Sequence, residues 1–342
     1  MFEPCYILNK TLLDNIVLIR QIIGTLNEKK FPRLIFAEFE KEARAISAYA
    51  STSIEGNPLA LTDVKRVLKT HPKHIRDTER EVINYNQALI YLNSISKKKS
   101  QSVTKNLLCL IQKVVTHGLI NKKNNGIMRK DPVVVNNPKT RTITYIPPDA
   151  KDIIHLTKEL LAFLKKEHDN LDPLILAGIF HKQFVIIHPF MDGNGRTARL
   201  VTKYLLARMG LDTFSLFSFE NYYNKNITKY FEHVGVNGDY YEMAKNIDFT
   251  KWLIYFTDGI IDELLRVQKL LARSDVNHRI LPHEKTIIAY VKKYGSISES
   301  SYATMTSRAR STRILDFKRL IEKNILERYG NGKATYYVLL LE

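Results

Sequence analysis

The chain has 342 residues, a length that fits two or three domains better than one. Apolar residues make up 44% of it, which is enough for packed cores and argues against global disorder. The formal net charge of +17 favours an anionic partner, such as a nucleotide, a nucleic acid or a membrane surface, without choosing among them. No apolar run approaches the roughly 20 residues that cross a bilayer, and the N-terminus lacks a signal-peptide pattern. We therefore predict a cytoplasmic protein with no membrane segment.

The N-terminal region, residues 1–100, reads mainly as helices. Apolar residues recur at helical spacing from Phe36 to Ala50, and the pattern stops in the run Ser51-Thr52-Ser53-Ile54-Glu55-Gly56-Asn57-Pro58. Further helices are predicted to start at Leu61 and to span about 79–92 and 103–115. The last of these begins the second predicted region, residues 101–272.

Residues 133–146 have the pattern of a β-hairpin. The β-branched runs Val133-Val134-Val135 and Thr142-Ile143-Thr144 flank the turn cluster Asn136-Asn137-Pro138-Lys139. Helices resume near Ile153, and the segment 173–187 is apolar nearly all round. That pattern predicts a helix buried in the middle of a bundle.

The C-terminal part of the chain reads as a separate module. Helices are predicted near 196–208, 226–234 and 248–272, and the polar stretch 273–279 is predicted to be a linker. The third region, residues 280–342, shows three helical segments followed by strand, Gly-Asn-Gly turn and strand. This order predicts a winged helix-turn-helix domain.

The twelve residues from His188 to Arg199 include several side chains of the kinds that bind phosphate or transfer protons. Pro189 disfavours α geometry at His188, so the imidazole is expected at a helix end. Gly193 and Gly195 permit backbone conformations in which their amides form an anion nest around Asn194.

Two arginines and an acid complete the loop. Arg196 opens a helix whose N-terminus favours phosphate. Arg196 and Arg199 lie three residues apart on one helix face, and two guanidinium forks suit a polyphosphate. Asp192 is a natural Mg²⁺ ligand beside it.

Two other interpretations of this run are weaker. A Gly-Asn-Gly sequence alone can be a plain turn. The run also matches a dinucleotide fingerprint at Gly193, Gly195 and Ala198, but Asp192 adds negative charge there and no βαβ unit surrounds it.

The whole run resembles the motif of the Fic family, His-x-Phe-x-Asp/Glu-Gly-Asn-Gly-Arg-x-x-Arg, with no departure. The resemblance extends over roughly residues 35–270. It implies a mainly α protein: a Fic-type helical bundle with a β-hairpin flap, followed by the winged-helix domain. It also implies a protein adenylyltransferase that moves AMP from ATP, its co-substrate, to a Ser, Thr or Tyr hydroxyl with Mg²⁺ as cofactor.

The resemblance implies a role for each motif residue. His188 is the general base, and Asp192 holds Mg²⁺. Asn194 with the amides of Gly193 and Gly195 binds the α-phosphate region, and Arg196 and Arg199 clamp the outer phosphates. The hairpin 133–146 corresponds to the flap that aligns the target protein. Adenine contacts are assigned by position only, to Tyr222, Tyr223, Asn226 and Tyr230.

Residue 195 bears on the reaction type. Glycine at this position matches adenylyl transfer, whereas related Doc-like kinases carry lysine. Phosphocholine transfer is a rarer variant that the motif does not exclude.

A second motif, Ser51-Thr52-Ser53-Ile54-Glu55-Gly56, resembles the family's inhibitory motif. Ser51 and Glu55 are four apart and share a helix face. A glutamate near a serine is by itself a common surface or capping pattern. Beside the complete catalytic motif, the resemblance implies that Glu55 pairs with Arg199 and denies it to the γ-phosphate.

Two other functions are also compatible with the sequence. The predicted helix 307–323 carries Arg308, Arg310, Arg313, Lys318 and Arg319, which suits DNA but also protein contacts or a solvated face. The chain could thus be a nucleotide-sensing, DNA-binding regulator with an inactive Fic module. Alternatively, Glu55 could position water to remove AMP from targets. The target and the oligomeric state are not readable from the sequence.

Overall fold

The computed structural model describes residues 2–28, 33–70, 74–96, 102–136, 142–277, 281–323 and 325–340. Within these residues the chain is mainly helical, as predicted. It divides into two units, Met1–Lys30 with Phe39–Val267, and Phe31–Glu38 with Gln268–Glu342. No described helix combines the length and the apolar character that crossing a bilayer requires.

The helices up to residue 277 are, in chain order, α1 (Lys10–Asn27), α2 (Arg33–Ile54), α3 (Leu61–Thr70), α4 (Asp77–Ser96), α5 (Lys105–Val115), α6 (Ile153–Lys166), α7 (Pro173–Ile187), α8 (Asn194–Leu206), α9 (Glu220–Lys225), α10 (Ile227–Val234), α11 (Tyr240–Met243) and α12 (Thr250–Asn277).

Helix α1 lies upstream of the helices predicted from the sequence. The side chain of Asn9 caps it by accepting a hydrogen bond from the amide of Leu12 at 3.0 Å. One face buries Leu12, Ile19 and Leu26 completely, so α1 is an amphipathic helix packed on a core.

Helix α7 is the buried central helix that the apolar segment 173–187 predicts. Asp172 caps it and Pro173 occupies its first turn. It packs against α6, α8 and α10. The indole Nε1 of Trp252 donates to the carbonyl of Gly178 at 2.7 Å, and a Cβ at residue 178 would lie 2.6 Å from Leu253. Glycine therefore lets α12 approach α7 closely.

The hairpin is present in the described residues. Strands β1 (Val135–Asn136) and β2 (Ile143–Ile146) pair antiparallel, with Val135 opposite Tyr145. Strand β3 (Gly238–Asp239), which the sequence pattern did not reveal, pairs parallel to β2. Tyr145 is buried on this sheet and donates its hydroxyl to the carbonyl of Ile186 at 2.9 Å. The predicted turn at Asn137, Pro138 and Lys139 lies outside the described residues.

The predicted linker at residues 273–279 is wrong for its described part, since α12 continues to Asn277. Residues 278–280 lie outside the described residues. Leu270, Leu271, Ala272 and Arg273 are all good helix formers, so a helix that is already nucleated extends beyond the buried Leu271.

The described residues of the second unit form three further helices and a three-stranded sheet. They are α13 (Pro282–Tyr294), β4 (Ile297–Ser298), α14 (Glu299–Ala303), α15 (Arg310–Glu322), β5 (Leu326–Tyr329) and β6 (Tyr336–Leu339). The strand order is β4-β6-β5, with antiparallel pairs. Phe317 and Tyr337 stack at 4.1 Å between ring centroids in a core that also buries Ile287 and Tyr302.

Candidate active site

His188 marks the end of α7 and carries an unusual backbone. Its φ and ψ are 51° and 59°, the left-handed region, and it is the one non-glycine residue with positive φ among those the structure describes. Its amide donates to the carbonyl of Phe184 at 3.0 Å. The ring Nδ1 lies 3.2 Å from the carbonyl of Val185, which can only accept, so Nδ1 carries the proton and Nε2 keeps its lone pair.

The surroundings of His188 favour the neutral imidazole. The pKa of His188 is lowered to about 4, chiefly by burial and to a smaller extent by the charge of Arg129. The carbonyl of Val185 and the charges of Glu55 and Asp192 act in the opposite direction without outweighing burial. At neutral pH the ring is therefore in the form that can accept a proton.

Asn194 holds the loop closed. Its side-chain Oδ1 accepts from the amide of Phe190 at 2.9 Å, and its Nδ2 donates to the carbonyl of the same residue at 2.8 Å. Phe190 is fully buried, with its ring 6.2 Å from that of Phe184. Both polar atoms of the Asn194 side chain are used within the loop, so the predicted contact of Asn194 with phosphate is left to its backbone amide.

Gly193 is the residue that turns the loop into α8. Its φ is 79°, and a Cβ there would lie 2.7 Å from Cγ2 of Thr116, so a side chain would be both strained and crowded. Gln112 fixes the same turn by donating to the carbonyl of Asp192 at 3.1 Å. The amides of Asn194, Gly195 and Arg196 then begin α8, where a helix has no internal acceptors for them. Free amides and the helix dipole make this end a suitable anion site.

Arg196 is held by two carboxylates. Its Nη1 lies 2.6 Å from Oε1 of Glu81, and its Nη2 donates to both oxygens of Asp192 at 3.0 and 3.1 Å. The buried Nε of Arg196 has no hydrogen-bond partner among the described residues. Glu81 in turn accepts from Asn57 at 2.7 Å, so the turn after α2 reaches Arg196 through Glu81. Glu81 was not identified from the sequence, since it lies 115 positions from Arg196 along the chain.

Arg199 is fully buried against the end of α2. Its Nη2 donates to Oε1 of Glu55 at 2.6 Å and to the carbonyl of Ser51 at 2.9 Å, and its Nε donates to Oγ of Ser51 at 2.7 Å. Burial opposes the charged guanidinium, but Glu55 and the neighbouring Tyr230 outweigh it and raise the pKa of Arg199. The contact that the inhibitory motif implies is thus present. Glu55 lies one residue beyond α2, which ends at Ile54.

Gly195 makes room for the Glu55 carboxylate. A Cβ at residue 195 would overlap Oε1 of Glu55 and lie 3.0 Å from Nη1 of Arg199. The glycine therefore lets the carboxylate lie directly against the first turn of α8, next to the arginine with which it pairs.

A buried polar network behind Arg199 was missed in the sequence. The hydroxyl of Tyr85 donates to Oε1 of Glu220 at 2.9 Å, and Oγ of Ser47 donates to Oε2 at 3.1 Å. Lys203 reaches Ser47 at 3.3 Å, and Glu220 is wholly buried. The sequence did contain an indication of this network, because Ser47 and Ser51 are polar residues four positions apart on the otherwise apolar face of α2.

The adenine assignment is corrected for two of its four residues. Tyr223 and Tyr230 are 0% and 1% exposed, and their rings stack 4.7 Å apart in an aromatic cluster with His181 and Trp252. Neither ring has a face left for a base. The hydroxyl of Tyr230 instead lies 2.9 Å from Nε2 of His181 and 3.4 Å from Nη1 of Arg199.

The other two candidates remain predictions. Tyr222 is partly buried beside Tyr255, with ring centroids 5.3 Å apart. Asn226 is exposed and caps α10 by accepting from the amide of Lys229 at 3.0 Å.

Comparison with known proteins identifies the region that carries this loop. The family model for the Fic/DOC family matches residues 102–206. Residues 102–206 are thus similar to the Fic/DOC family. The matched region includes α5 to α8, the hairpin and the whole run from His188 to Arg199, whereas Ser51, Glu55 and residues 222–230 lie outside it.

Two curated proteins are similar to about half of this chain. The proteins named protein adenylyltransferase Fic from Drosophila virilis and Drosophila melanogaster are each 33% identical over 176 residues. The chain spans only 34% of the length of these relatives, and the match covers 50% of this chain.

The fold resembles that of solved Fic proteins over a larger part of the chain. A crystal structure of a Fic family protein from Desulfovibrio desulfuricans G20 has a TM-score of 0.68 at 20% identity, covering 100% of this chain and 99% of that one. Fic-1 from C. elegans has a TM-score of 0.61 at 19% identity, covering 77% of this chain and 73% of that one. At these identities the likeness concerns the fold.

Proposed function

We propose that the Fic domain transfers AMP from ATP to a hydroxyl group of a target protein. The observation that carries this proposal is the six-residue connection between α7 and α8. It places a neutral imidazole at one end and free helix amides with two arginines at the other. A base beside an anion site is what transfer from a nucleotide to a hydroxyl requires.

The reaction divides among residues of this loop. Nε2 of His188 takes the proton of the target hydroxyl, and the oxygen attacks the α-phosphorus. The bond to pyrophosphate breaks, and pyrophosphate leaves with the electron pair. The α8 amides and the Arg196 and Arg199 guanidinium groups stabilise the negative charge that develops on the phosphates.

Asp192 is the residue that would hold Mg²⁺. Its side chain is 47% exposed, and its carboxylate supplies the hard oxygen ligands that this ion prefers. The described residues contain no group of three or more acidic, histidine or cysteine ligands, but Mg²⁺ commonly uses one or two carboxylates with substrate phosphates and water. The ion would supply charge neutralisation at the phosphates when bound.

We further propose that Glu55 and Ser51 inhibit the transfer. Together they occupy Nε and Nη2 of Arg199, the fork that would otherwise grip the outer phosphate. Since Gly195 lets the carboxylate lie against the start of α8, Glu55 also places negative charge at the proposed phosphate site. Both effects oppose productive ATP binding.

Target recognition is assigned to the hairpin 133–146. In the sheet, β2 lies between β1 and β3, so β1 is one of the two edge strands, and we assign it as the edge to which a target strand adds. Val134 and Ile143 are exposed beside it, at 46% and 58%. These features support β-augmentation by an extended segment of the target.

The second unit is proposed to be a winged helix that contacts DNA through residues 307–323. Arg308 and Arg313 are used internally, because Arg308 pairs with Asp316 at 2.8 Å and Arg313 with Glu299 at 2.6 Å. Arg310, Lys318 and Arg319 are exposed on α15, although Arg310 lies 3.9 Å from Glu299 and Lys318 lies 3.8 Å from Glu322. DNA contact is therefore assigned to these three residues.

The cytoplasmic location predicted from the sequence stays a prediction.

The test of the proposed activity is transfer of label from α-labelled ATP with Mg²⁺ to the chain itself or to proteins of a cell lysate. His188→Ala should abolish transfer but leave ATP binding, followed by calorimetric titration, intact, because Asp192 and the arginines hold the nucleotide. Labelling by His188→Ala at the wild-type rate would refute the role of the imidazole. Release of AMP from a labelled target without any forward transfer would favour the reverse reaction.

A further inference from the structure

Arg129 lies outside the motif run, in the segment between α5 and the hairpin, and its side chain is only 4% exposed. Among the residues that the structure describes, its guanidinium donates to three acceptors. Nε donates to the carbonyl of His188 at 2.8 Å, Nη1 to the carbonyl of Asp131 at 3.2 Å, and Nη2 to the carbonyl of Pro148. All three acceptors are main-chain carbonyl oxygens, so these hydrogen bonds fix the position of the backbone.

These acceptors come from three separate segments. Asp131 precedes β1 and Pro148 follows β2, so the guanidinium bridges the two ends of the hairpin at its base. His188 lies at the start of the catalytic loop. The amide of Arg129 also donates to the carbonyl of Pro189 at 2.9 Å, so two successive carbonyls of that loop are held by one residue.

The peptide of His188 needs such support. A left-handed backbone is unfavourable for a residue with a side chain and persists only where its surroundings fix it. The amide of His188 is fixed by Phe184 and its ring by Val185, both within α7. Arg129 provides the bonds on the carbonyl side of His188, and they come from outside α7.

We propose that Arg129 is a positioning residue that fixes the peptide of His188 and the base of the hairpin in one geometry. The general base and the strand that receives the target are thereby held at a constant separation. This inference rests on the proposed transferase activity for its catalytic consequence. Its structural part, the coupling of two segments through one guanidinium, can be measured without that activity.

Substitution of Arg129 by lysine distinguishes the effect of its hydrogen-bonding geometry from the effect of its positive charge. Arg129→Lys keeps the positive charge near His188, but a single ammonium cannot reach all three carbonyls that the planar fork spans. The matched control is Ile19→Val, a buried change in α1 that lowers stability without touching the loop or the hairpin. Both are made in the full chain carrying Glu55→Gly, which frees Arg199.

Two measurements test the proposal. In amide hydrogen exchange, Arg129→Lys should increase exchange in two segments together, residues 143–146 and residues 186–190, whereas Ile19→Val should not. In self-labelling with varied Mg-ATP, the rate at saturation should fall about a hundredfold, because small misplacements at the reacting centre are costly. The ATP concentration at half-saturation should not change.

The outcomes are distinguishable. If the Glu55→Gly parent does not label itself or lysate proteins, the proposed transferase activity fails, and exchange alone decides the role of Arg129. Unchanged exchange in either segment would overturn the coupling. A labelling loss equal to that of Ile19→Val, or a loss seen only as weaker ATP binding, would show that Arg129 has a structural role alone.

Discussion

At the scale of single residues, His188 has two unusual properties: its backbone is in the left-handed conformation, and its side chain has a lowered pKa. The left-handed conformation costs about 1–2 kcal/mol in a residue with a Cβ. That cost is offset by the hydrogen bonds of its amide, ring and carbonyl to Phe184, Val185 and Arg129. The result is an imidazole whose Nε2 lone pair is available at the loop.

The pKa of His188 leads to a prediction about pH. Since burial lowers it to about 4, the base stays neutral down to about pH 5 and is lost only as the pH falls through about 4. With an ordinary pKa near 6.5, the rate would fall about tenfold between pH 7.5 and pH 5.5. We expect the self-labelling rate of Glu55→Gly at saturating Mg-ATP to change far less than that over this range. A tenfold fall that follows a pKa near 6.5 would contradict the burial of the ring.

The same pKa affects folding. The unfolded chain takes up a proton at His188 below about pH 6.5, whereas the folded chain does so only near pH 4. The contribution of this residue to stability is therefore fully present above pH 6.5 and is lost as the pH falls towards 4.

At the scale of elements, the end of α2 engages both arginines of α8. Ser51 and Glu55 contact Arg199 directly, and Asn57 reaches Arg196 through Glu81. Each contact joins segments that are far apart in sequence. A shift of α2 would consequently release the Arg199 guanidinium, whereas Arg196 would keep its bonds to Glu81 and Asp192.

Removing the Glu55 carboxylate should activate transfer. We expect Glu55→Gly to raise the labelling rate by on the order of a hundredfold, because a misplaced phosphate costs about that much. The double change Glu55→Gly with Arg199→Ala should lose the gain, since both act through one contact. Labelling rates of wild type, both single variants and the double variant measure this. If Glu55→Gly is no faster than wild type and melts at a lower temperature, Glu55 serves only to stabilise the end of α2.

Weakening the buried polar network behind Arg199 should also activate transfer, but to a smaller extent. Tyr85→Phe removes the hydroxyl that donates to Glu220, and burial leaves that carboxylate oxygen without a replacement from water. We expect a loss of about 1–3 kcal/mol in stability, together with faster labelling as α2 loosens. The control is Tyr91→Phe on the same helix, whose side chain is exposed. Thermal unfolding and self-labelling measure both effects, and a stability loss with no change in rate would show that the network does not position α2 for inhibition.

At the scale of the whole molecule, the charge of +17 has two proposed uses, ATP and DNA. We expect the full chain to bind duplex DNA weakly, with an affinity that falls steeply as salt increases. Replacing Arg310 and Arg319 by alanine should reduce the slope of log K against log salt by about two, one for each phosphate that the variant no longer neutralises. Fluorescence anisotropy at several salt concentrations measures this slope. Equal slopes for both chains, or no binding at low salt, would leave protein contact as the use of α15.

Features that depend on residues close together in the chain could be predicted from the amino-acid sequence. Pro189 ends a helix at His188, Gly193 allows the turn into α8, and the spacing of Arg196 and Arg199 puts both on one face. The hairpin and the buried character of α7 follow from equally local patterns. In each case the cause and its effect lie within a few residues, so the pattern in the chain is sufficient.

Long-range packing, in contrast, determines which polar groups and rings remain available to bind a ligand. It used the Asn194 side chain to close the loop, buried Tyr223 and Tyr230 in an aromatic cluster, and brought β3 beside the hairpin. It also brought Glu81 to Arg196 and Arg129 to His188. These outcomes depend on contacts between segments many residues apart, where burial, and not spacing, decides whether a polar group meets a ligand or another part of the same chain.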